Sequence, residues 1–318
     1  MSDNIKLLLA GAGYMGKEYS KVLSAQGIDF DVVCRSQSTA EKFLEETGIR
    51  PFTGGTEAAL SEMGYVPERA IVAVSVNQLK QTVIVMIEKG VREILVEKPG
   101  GMNRNDIREI CEAAEKHDAK VYVAYNRRFY ASTEKAKEII KADGGVSSFN
   151  FEFTEWGFKI EKTSHPKEVK EEWLLANSTH VIDLAFYLGG FPEEISTYCK
   201  GSLPWHSRAS KYAGAGRSAG DVLFSYQANW DAPGRWAVEM LTESHRLYLK
   251  PMEKLFIQNR GSVAVEEVEI DDESDTKFKP GLYRQVEAFM SDAQDDRLVK
   301  IEDQLLHMDV YEKIECLD

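Results

Sequence analysis

The sequence predicts an α/β protein of two domains. The first is a doubly wound parallel sheet in residues 1–124, and the second is an α/β domain with a large open, mostly antiparallel sheet in residues 125–318. Three observations support this. The length of 318 residues exceeds what one hydrophobic core usually fills. Apolar runs alternate with helical patterns before residue 125, and strand patterns follow one another after it.

The apolar runs of the first part indicate strands that are covered on both faces. They are short, rich in Val, Ile and Leu, and do not alternate with polar residues. The runs are Lys6–Ala10, Phe30–Cys34, Ala70–Val74, Glu93–Val96 and Lys120–Tyr125. Between them, Ser38 and Glu41 form a capping-box pattern at the start of one helix, and Asn105 is expected to cap another.

The sequence patterns of the second part predict an open sheet with helices. Ser132–Lys141 reads as a helix, and Ser148–Trp156 alternates apolar and polar residues as a half-exposed strand does. Asp271–Lys279 is polar and is expected to be a loop. Further strands are expected at Ile195–Cys199, Val222–Trp230, Trp236–Leu241, Leu247–Lys250, Leu255–Gln258 and Val263–Ile270.

Composition argues against several classes of partner. The formal net charge of -13 offers no basic field for nucleic acid or an anionic membrane. No apolar run reaches the roughly 20 residues of a membrane span, and the short run at the N-terminus does not resemble a signal peptide. The four scattered cysteines predict neither a metal site nor a disulfide framework. We therefore expect reduced thiols and a cytoplasmic protein; the cysteines are Cys34, Cys111, Cys199 and Cys316.

A glycine-rich motif follows the first apolar run. Residues 11–16 read Gly11-Ala12-Gly13-Tyr14-Met15-Gly16, between a strand and a helix. The first glycine allows the tight turn, the second lets the backbone approach a pyrophosphate, and the third lets helix and strand pack closely. This context predicts a Rossmann domain that binds a dinucleotide. Gly214–Ala219 matches the same pattern but lacks the context, and we expect a flexible loop there.

The end of the second strand indicates which nicotinamide cofactor is preferred. An acidic residue usually binds the ribose 2′-hydroxyl of NAD at this point. Here Cys34 is followed by Arg35 and Ser36, which offer donors suited to a 2′-phosphate. We therefore predict NADP over NAD; the alternative is that Arg35 is a solvated residue that stacks on adenine. Ser75 and Asn77, after the third strand, are also expected to contact the cofactor.

Glu97-Lys98-Pro99 follows the next strand of the parallel sheet. Composition alone would favour an exposed charge pair, but the carboxyl ends of the strands are where such sheets bind their ligands. We therefore expect Glu97 and Lys98 to contact the cofactor. Pro99 is expected to set the turn, through a cis or a trans bond.

Taken together, these motifs resemble the family of glucose–fructose oxidoreductase, inositol dehydrogenase and MocA. The resemblance rests on the glycine-rich turn, Glu97-Lys98-Pro99, the run Tyr125–Phe129, and His180 with Asp183. It implies that Lys98 contacts both nicotinamide ribose and substrate. It further implies that His180 takes the proton from a sugar hydroxyl as hydride leaves, a role suited to imidazole because its ordinary pKa lies near neutrality. The alternative is that His180 has a structural role, in the core or at the start of a helix.

The chain departs from that family in one position. Many members carry an aspartate four residues before the histidine, where this chain has Ala176 followed by Asn177. The amide of Asn177 can bind substrate but cannot act as a charged proton partner. The residues expected to contact substrate are Tyr125, Asn126, Arg127, Asn177 and Asp183. Among the tryptophans, Trp173 or Trp205 is expected to line a pocket.

The resulting hypothesis is an NADP-dependent oxidoreductase. It would transfer a hydride to or from a carbinol or ketone carbon of a sugar, cyclitol or nucleotide sugar. The resemblance also implies a homodimer or homotetramer formed through the second sheet. Two alternatives stay open: a cofactor-binding regulator that has lost turnover, which Ala176 permits, and a reductase similar to biliverdin reductase.

Overall fold

The computed structural model describes residues 6–317. It divides into two units, residues 6–125 with 282–306, and residues 126–281 with 307–317. The division differs from the single boundary after residue 124 that the sequence suggested. Residues 282–306 rejoin the first unit, because α-helical and strand segments near the C-terminus complete that unit's core.

The elements follow the chain in the order that the patterns indicate. The strands are β1 Leu7–Ala10, β2 Phe30–Val33, β3 Arg69–Val72, β4 Glu93–Glu97, β5 Lys120–Ala124, β6 Ser148–Glu152, β7 Pro192–Lys200, β8 Lys211–Ser218, β9 Val222–Asn229, β10 Ala237–Leu241, β11 His245–Leu249, β12 Phe256–Asn259, β13 Glu266–Glu267 and β14 Val299–Lys300. The helices are α1 Tyr14–Ala25, α2 Gln37–Thr47, α3 Thr56–Glu62, α4 Leu79–Glu88, α5 Arg104–Lys116, α6 Ala131–Ala142, α7 Gly157–Ile160, α8 Lys167–Glu171, α9 Thr179–Gly189, α10 Glu273–Lys277, α11 Leu282–Met290 and α12 Ile301–Ile314.

The first unit is built on a parallel sheet with strand order β14-β5-β4-β3-β1-β2. Strands β1 to β5 pair in parallel, and only the short β14 runs antiparallel, against β5. Every residue of β1 is buried, as expected for a strand covered on both faces. The order places the carboxyl ends of β1, β2 and β3 side by side, where a ligand can reach all three.

Two helix starts differ from the sequence prediction. Helix α2 begins two residues earlier than the Ser38 pattern indicated: Ser36 is the N-cap, and its hydroxyl accepts a hydrogen bond from the Thr39 amide. Helix α5 is capped by Asn103 and not by Asn105, since the Asn103 side chain accepts from the Asp106 amide. In both cases a second polar residue just upstream supplies the cap, and the sequence offers no way to rank the two.

The second unit is built on an open sheet with strand order β13-β12-β11-β10-β6-β9-β8-β7. All pairs are antiparallel except β6 with β9. One face carries an aromatic core in which Phe149 stacks on Phe224 and Phe151 stacks on Tyr226, each pair with ring centroids 5.3 Å apart. Helix α9 covers this core through Phe186, which meets Phe149, Phe151 and Phe224 edge-on. The predicted fold class is confirmed for both units.

The second glycine-rich match is a strand and not the flexible loop that we expected. It lies largely within β8, which pairs with β7 and β9 along its full length. A Cβ atom at Gly214 would lie 2.4 Å from the Tyr226 ring, and one at Gly216 would lie 2.0 Å from the Glu194 carbonyl oxygen. These glycines therefore give room to aromatic rings and neighbouring backbone, a role that the motif alone does not reveal.

Other expectations of the sequence also need correction. Cys199 and Cys316 form a disulfide, with their Cα atoms 6.2 Å apart, whereas all four cysteines were expected to be thiols. The two lie 117 residues apart in the chain, so no spacing pattern could signal the pair. The polar segment after residue 270 contains the short helix α10, and only Glu266–Glu267 of the expected strand Val263–Ile270 is a strand.

Across residues 6–317, no helix is both long enough and apolar enough to cross a bilayer.

Candidate cofactor pocket and substrate residues

A cavity of about 750 Å³ lies at the carboxyl ends of β1, β2 and β3 in the first unit. Of the predicted cofactor residues, Gly11, Gly13, Arg35, Ser36 and Ser75 line it. Tyr14, Met15, Gly16, Asn77, Glu97 and Lys98 are not among the residues that line it.

The glycine-rich turn leaves open space where a ligand would need it. A Cβ atom at Gly11 would lie 2.3 Å from the Ala73 carbonyl oxygen, and one at Gly16 would lie 1.9 Å from the Gly11 carbonyl oxygen. At Gly13 a Cβ atom would meet nothing within 4 Å. Gly13 is also the N-cap of α1, and no side chain caps that helix. The first amides of α1 can thus be offered to an anion such as a pyrophosphate, and these residues fit a dinucleotide.

The end of β2 supplies polar donors to the same cavity. Arg35 is exposed, and its Nη1 atom donates to Gln78 Oε1 at 3.3 Å. Ser36 caps the N-terminus of α2, and Thr39 of that helix also lines the cavity. Among the described residues that line this cavity, Glu57 is the only carboxylate, and it pairs with Lys89 at 3.6 Å. No acidic residue therefore stands where an NAD-preferring site usually has one.

Two of the remaining predicted residues make hydrogen bonds within the first unit. The Ser75 hydroxyl donates to Asn77 Oδ1 at 2.9 Å, so Asn77 holds a side chain that lines the cavity. At the end of β4, Glu97 accepts a hydrogen bond of 2.9 Å from the buried Tyr19 hydroxyl. Burial, together with the neighbouring Glu97 carboxylate, raises the pKa of Tyr19 well above its ordinary value, so the phenol keeps its proton. Glu97 thus ties β4 to α1.

The Lys98–Pro99 bond is cis, one of the two geometries considered for this turn. Lys98 is half-buried. Gln304 of α12, which is fully buried, donates at 3.0 Å to both the Pro99 carbonyl oxygen and the Tyr125 hydroxyl. This glutamine holds the turn after β4 against the end of β5, and sequence reasoning missed it because it lies about 200 residues away in an ordinary helical pattern. Tyr125, expected to bind substrate, is buried.

The residues after β5 begin the second unit with a short 3-10 helix, Asn126–Phe129. Asn126 is buried, and its side-chain amide donates to the Pro280 carbonyl oxygen at 2.9 Å. It therefore holds the loop before α11, which differs from the substrate contact that we expected. Arg127 is half-buried, and its guanidinium lies 4.7 Å from the centre of the Trp236 ring.

Asp183 is not available to a substrate as the sequence suggested. Its two carboxylate oxygens accept hydrogen bonds of 2.8 and 2.6 Å from Arg128, and both side chains are buried. Burial alone would lower the pKa of Arg128, but the Asp183 carboxylate raises it above the ordinary value. The pair fixes the 3-10 helix against α9, the helix that carries His180.

The chain just before His180 departs from regular helix geometry. Leu174–Ser178 forms a π-helical turn, a feature often found at functional sites. Asn177 and the Ser178 hydroxyl each donate to Glu155 Oε1 at 2.9 Å. Glu155 is 2% exposed, and it sets the orientation of the residues that follow Ala176. The missed signal is positional: Glu155 falls on the same alternation as the buried Phe149, Phe151 and Phe153.

Trp236 brings three polar side chains of the second unit together. The His180 ring lies 6.1 Å from it, and the guanidinium groups of Arg127 and Arg235 lie 4.7 and 4.3 Å from its ring centre. Trp173 and Trp205, one of which is expected to line a pocket, are buried and pack edge-to-face against each other. The structure thus groups Arg127 and His180 and adds Arg235 and Trp236 to them.

Comparison with known proteins supports the resemblance read from the motifs. The model of the Gfo/Idh/MocA group, described as an oxidoreductase family with an NAD-binding Rossmann fold, matches residues 5–125. A curated relative, trans-1,2-dihydrobenzene-1,2-diol dehydrogenase of Mus musculus, is 25% identical over 156 residues, which are 48% of this chain and 46% of that protein. The chain therefore matches about half the length of this curated relative.

Solved structures share the fold over nearly the whole chain. An oxidoreductase from Agrobacterium radiobacter in complex with NAD+, L-tartaric acid and magnesium has a TM-score of 0.81 at 12% identity, covering 99% of this chain and 96% of its own. UDP-N-acetylglucosamine 3-dehydrogenase from Acidithiobacillus ferrooxidans has a TM-score of 0.77 at 12% identity, covering 98% and 97%. Levoglucosan dehydrogenase in complex with NADH has a TM-score of 0.76 at 16% identity, covering 99% and 97%.

The Arg128–Asp183 pair predicts a loss of stability when one partner is removed. Asp183→Asn should lower the free energy of unfolding by about 3–5 kcal/mol, because a buried guanidinium then lacks its counter-charge. Urea denaturation followed by circular dichroism measures this. The control is Glu194→Gln, which removes a carboxylate from the exposed Arg217 pair and should cost at most about 1 kcal/mol. Equal effects of the two variants would contradict a structural role for Asp183.

Proposed function

We propose, on the premise that residues 5–125 belong to the oxidoreductase family with the NAD-binding Rossmann fold, that this protein is a dehydrogenase or reductase. It transfers a hydride between NADP(H) and a carbinol or ketone carbon of a sugar, cyclitol or nucleotide sugar. The observation that carries the proposal is the uncapped N-terminus of α1 beside the open space at Gly13. That arrangement suits a pyrophosphate bound at the carboxyl edge of the sheet.

The preference for NADP rests on the end of β2. Arg35 provides a planar set of donors, and the Ser36 hydroxyl stands at the N-terminus of α2, where the helix dipole favours negative charge. A 2′-phosphate would meet these groups and no carboxylate from the end of β2. The Agrobacterium radiobacter oxidoreductase and levoglucosan dehydrogenase were solved with NAD+ and NADH, so the preference proposed here rests on this chain's own residues.

Two residues are proposed to act on the substrate. When bound, the nicotinamide supplies the hydride acceptor or donor. Lys98, beyond β4, lowers the barrier to loss of the hydroxyl proton through its positive charge. His180 accepts that proton during oxidation and returns it during reduction, and such a group typically contributes about 10²–10⁴-fold to the rate. Lys98 and His180 belong to different units of the chain.

The polar groups near His180 favour a hydroxylated substrate. Glu155, Asn177 and Ser178 form a hydrogen-bonded set just before the histidine, and Asn177 is half-exposed. The Asn177 amide suits sugar hydroxyls, whereas a tetrapyrrole would call for a wide apolar cleft. The names of the structural relatives, levoglucosan dehydrogenase and a nucleotide-sugar dehydrogenase, point the same way.

A homodimer or homotetramer through the second sheet is also proposed. The face of this sheet opposite the aromatic core carries Tyr198, which is 73% exposed, and Leu223, which is 63% exposed. Ala213 and Ala215 of β8 are exposed as well. Large exposed apolar side chains beside small ones on a flat face are typical of surfaces that pack against another protein chain.

The cofactor preference predicts a selective effect of Arg35→Ser. NADPH affinity should fall about tenfold or more while NADH affinity changes little, because only the 2′-phosphate loses a charged partner. Fluorescence titration of both cofactors measures this, with the exposed Arg50→Ser as the matched control. A parallel loss for both cofactors would instead indicate that Arg35 stacks on adenine.

The catalytic assignment predicts separate effects on turnover and binding. His180→Ala should lower kcat about 10²–10⁴-fold while NADPH affinity stays within about threefold, and Lys98→Met should also abolish turnover. Nicotinamide absorbance with a panel of sugars, cyclitols and nucleotide sugars reports the rate. The control is His117→Ala, at the end of α5. Tight cofactor binding without turnover on any substrate would favour the alternative of a cofactor-binding regulator that has lost turnover.

A further inference from the structure

We propose that the substrate of this reaction is an acid, whose carboxylate is bound by Arg127 and Arg235 beside His180. The inference rests on the proposed function, because it names the substrate class of the same site. All three side chains contact the Trp236 ring, at distances of 4.7, 4.3 and 6.1 Å. An anion bound by these guanidinium groups would therefore lie beside the same ring that His180, the proposed proton acceptor, contacts.

The environment of Arg127 is suited to binding an anion. Its guanidinium rests on Trp236 and lies 5.8 Å from the centre of the buried Tyr130 ring. In residues 6–317 no carboxylate pairs with it, and its buried Nε atom has no hydrogen-bond partner. Leaving a half-buried arginine without a counter-charge costs free energy, which an incoming anion would recover. Aromatic contacts offset only part of that cost.

Arg235 also lies against the Trp236 ring, and its guanidinium has further hydrogen-bond donors. Its Nη1 atom donates to the buried Glu155 Oε2 at 3.2 Å, which fixes the guanidinium in place. The side chain is 45% exposed and also lies 5.0 Å from the centre of the Trp156 ring. Within residues 6–317 the Nη1 atom makes the one protein hydrogen bond of this guanidinium, so the other nitrogens can donate to a ligand. Glu155 thus positions an arginine as well as Asn177.

Positive groups gather at the Trp236 ring although the protein is acidic. The chain carries a formal net charge of -13, yet two arginines contact this ring, and one of them, Arg235, is bonded to the Glu155 carboxylate. Lys159 adds a third positive group, 3.9 Å from the centre of the Trp156 ring. A neutral sugar would gain little from this arrangement. A planar carboxylate matches the Nε and Nη donors of an arginine, which favours a sugar acid over a neutral sugar.

The test compares the binding of acids with that of their neutral amides, so that measurements on the wild-type protein are enough to test the proposal. Calorimetry, with and without saturating NADP+, measures binding of D-glucuronate against D-glucuronamide and of D-gluconate against D-gluconamide, with glucose 6-phosphate as a further arm. We expect at least one acid to bind about tenfold or more tightly than its amide, since hydrogen bonds to charged groups contribute about 1.5–3 kcal/mol. Preference for the phosphate alone, equal binding within each pair, or no binding of either acid would overturn the proposal.

Variants locate the effect. Arg127→Met should reduce the preference for the acid to about twofold or less, Arg127→Lys should keep part of it, and Arg235→Met should lower it to an intermediate value. Arg260→Met, which removes an exposed arginine, should leave the preference unchanged. Unchanged preference in the Arg127 and Arg235 variants would overturn the assignment of these residues.

The two proposals fail in different ways. Arginine-dependent binding of an acid that is never oxidised or reduced, with the corresponding keto acids also inert, would refute hydride transfer and leave the anion site. Turnover of neutral sugars without any preference for acids would refute the acid substrate and leave hydride transfer.

Discussion

The first unit depends on backbone segments that approach more closely than a side chain would allow. The turn after β1 lies against the segment after β3, where any Cβ atom at Gly11 would overlap the Ala73 carbonyl. The first turn of α1 lies against the same turn through Gly16. This double contact brings the amides of α1 to the edge of the sheet and leaves Gly13 facing open space. The cavity that Arg35 and Ser36 line follows from that geometry.

The second unit is organised by buried charges. Arg128 and Asp183 neutralise each other and fix the 3-10 helix to α9, so they serve structure. Glu155 is buried as well, but its partners Asn177 and Arg235 are half-exposed or exposed. A buried charge with partners that reach the surface can orient groups for a ligand, which is why Glu155 and not Asp183 belongs to the candidate site.

The sequence predicted the features that depend on local pattern. Strand alternation, the apolar runs and the glycine turn of residues 11–16 gave the fold class and the cofactor edge. It could not predict contacts made by distant residues. Gln304 reaching Pro99, Cys199 bonded to Cys316, and Asp183 consumed by Arg128 all depend on tertiary packing. Tertiary packing also explains the glycines of β8, which leave room for the Tyr226 and Phe224 rings.

The most direct test of the account is cofactor binding by Gly13→Val. Gly13 has extended backbone angles that valine can adopt, and its added atoms would begin in open space, so the variant should keep the melting temperature of the wild type. Calorimetric titration should then show that affinity for NADPH and NADH falls about 100-fold or more, because the side chain occupies the place of the pyrophosphate. A folded Gly13→Val variant that binds both cofactors as the wild type does would contradict the central claim that this turn holds the dinucleotide.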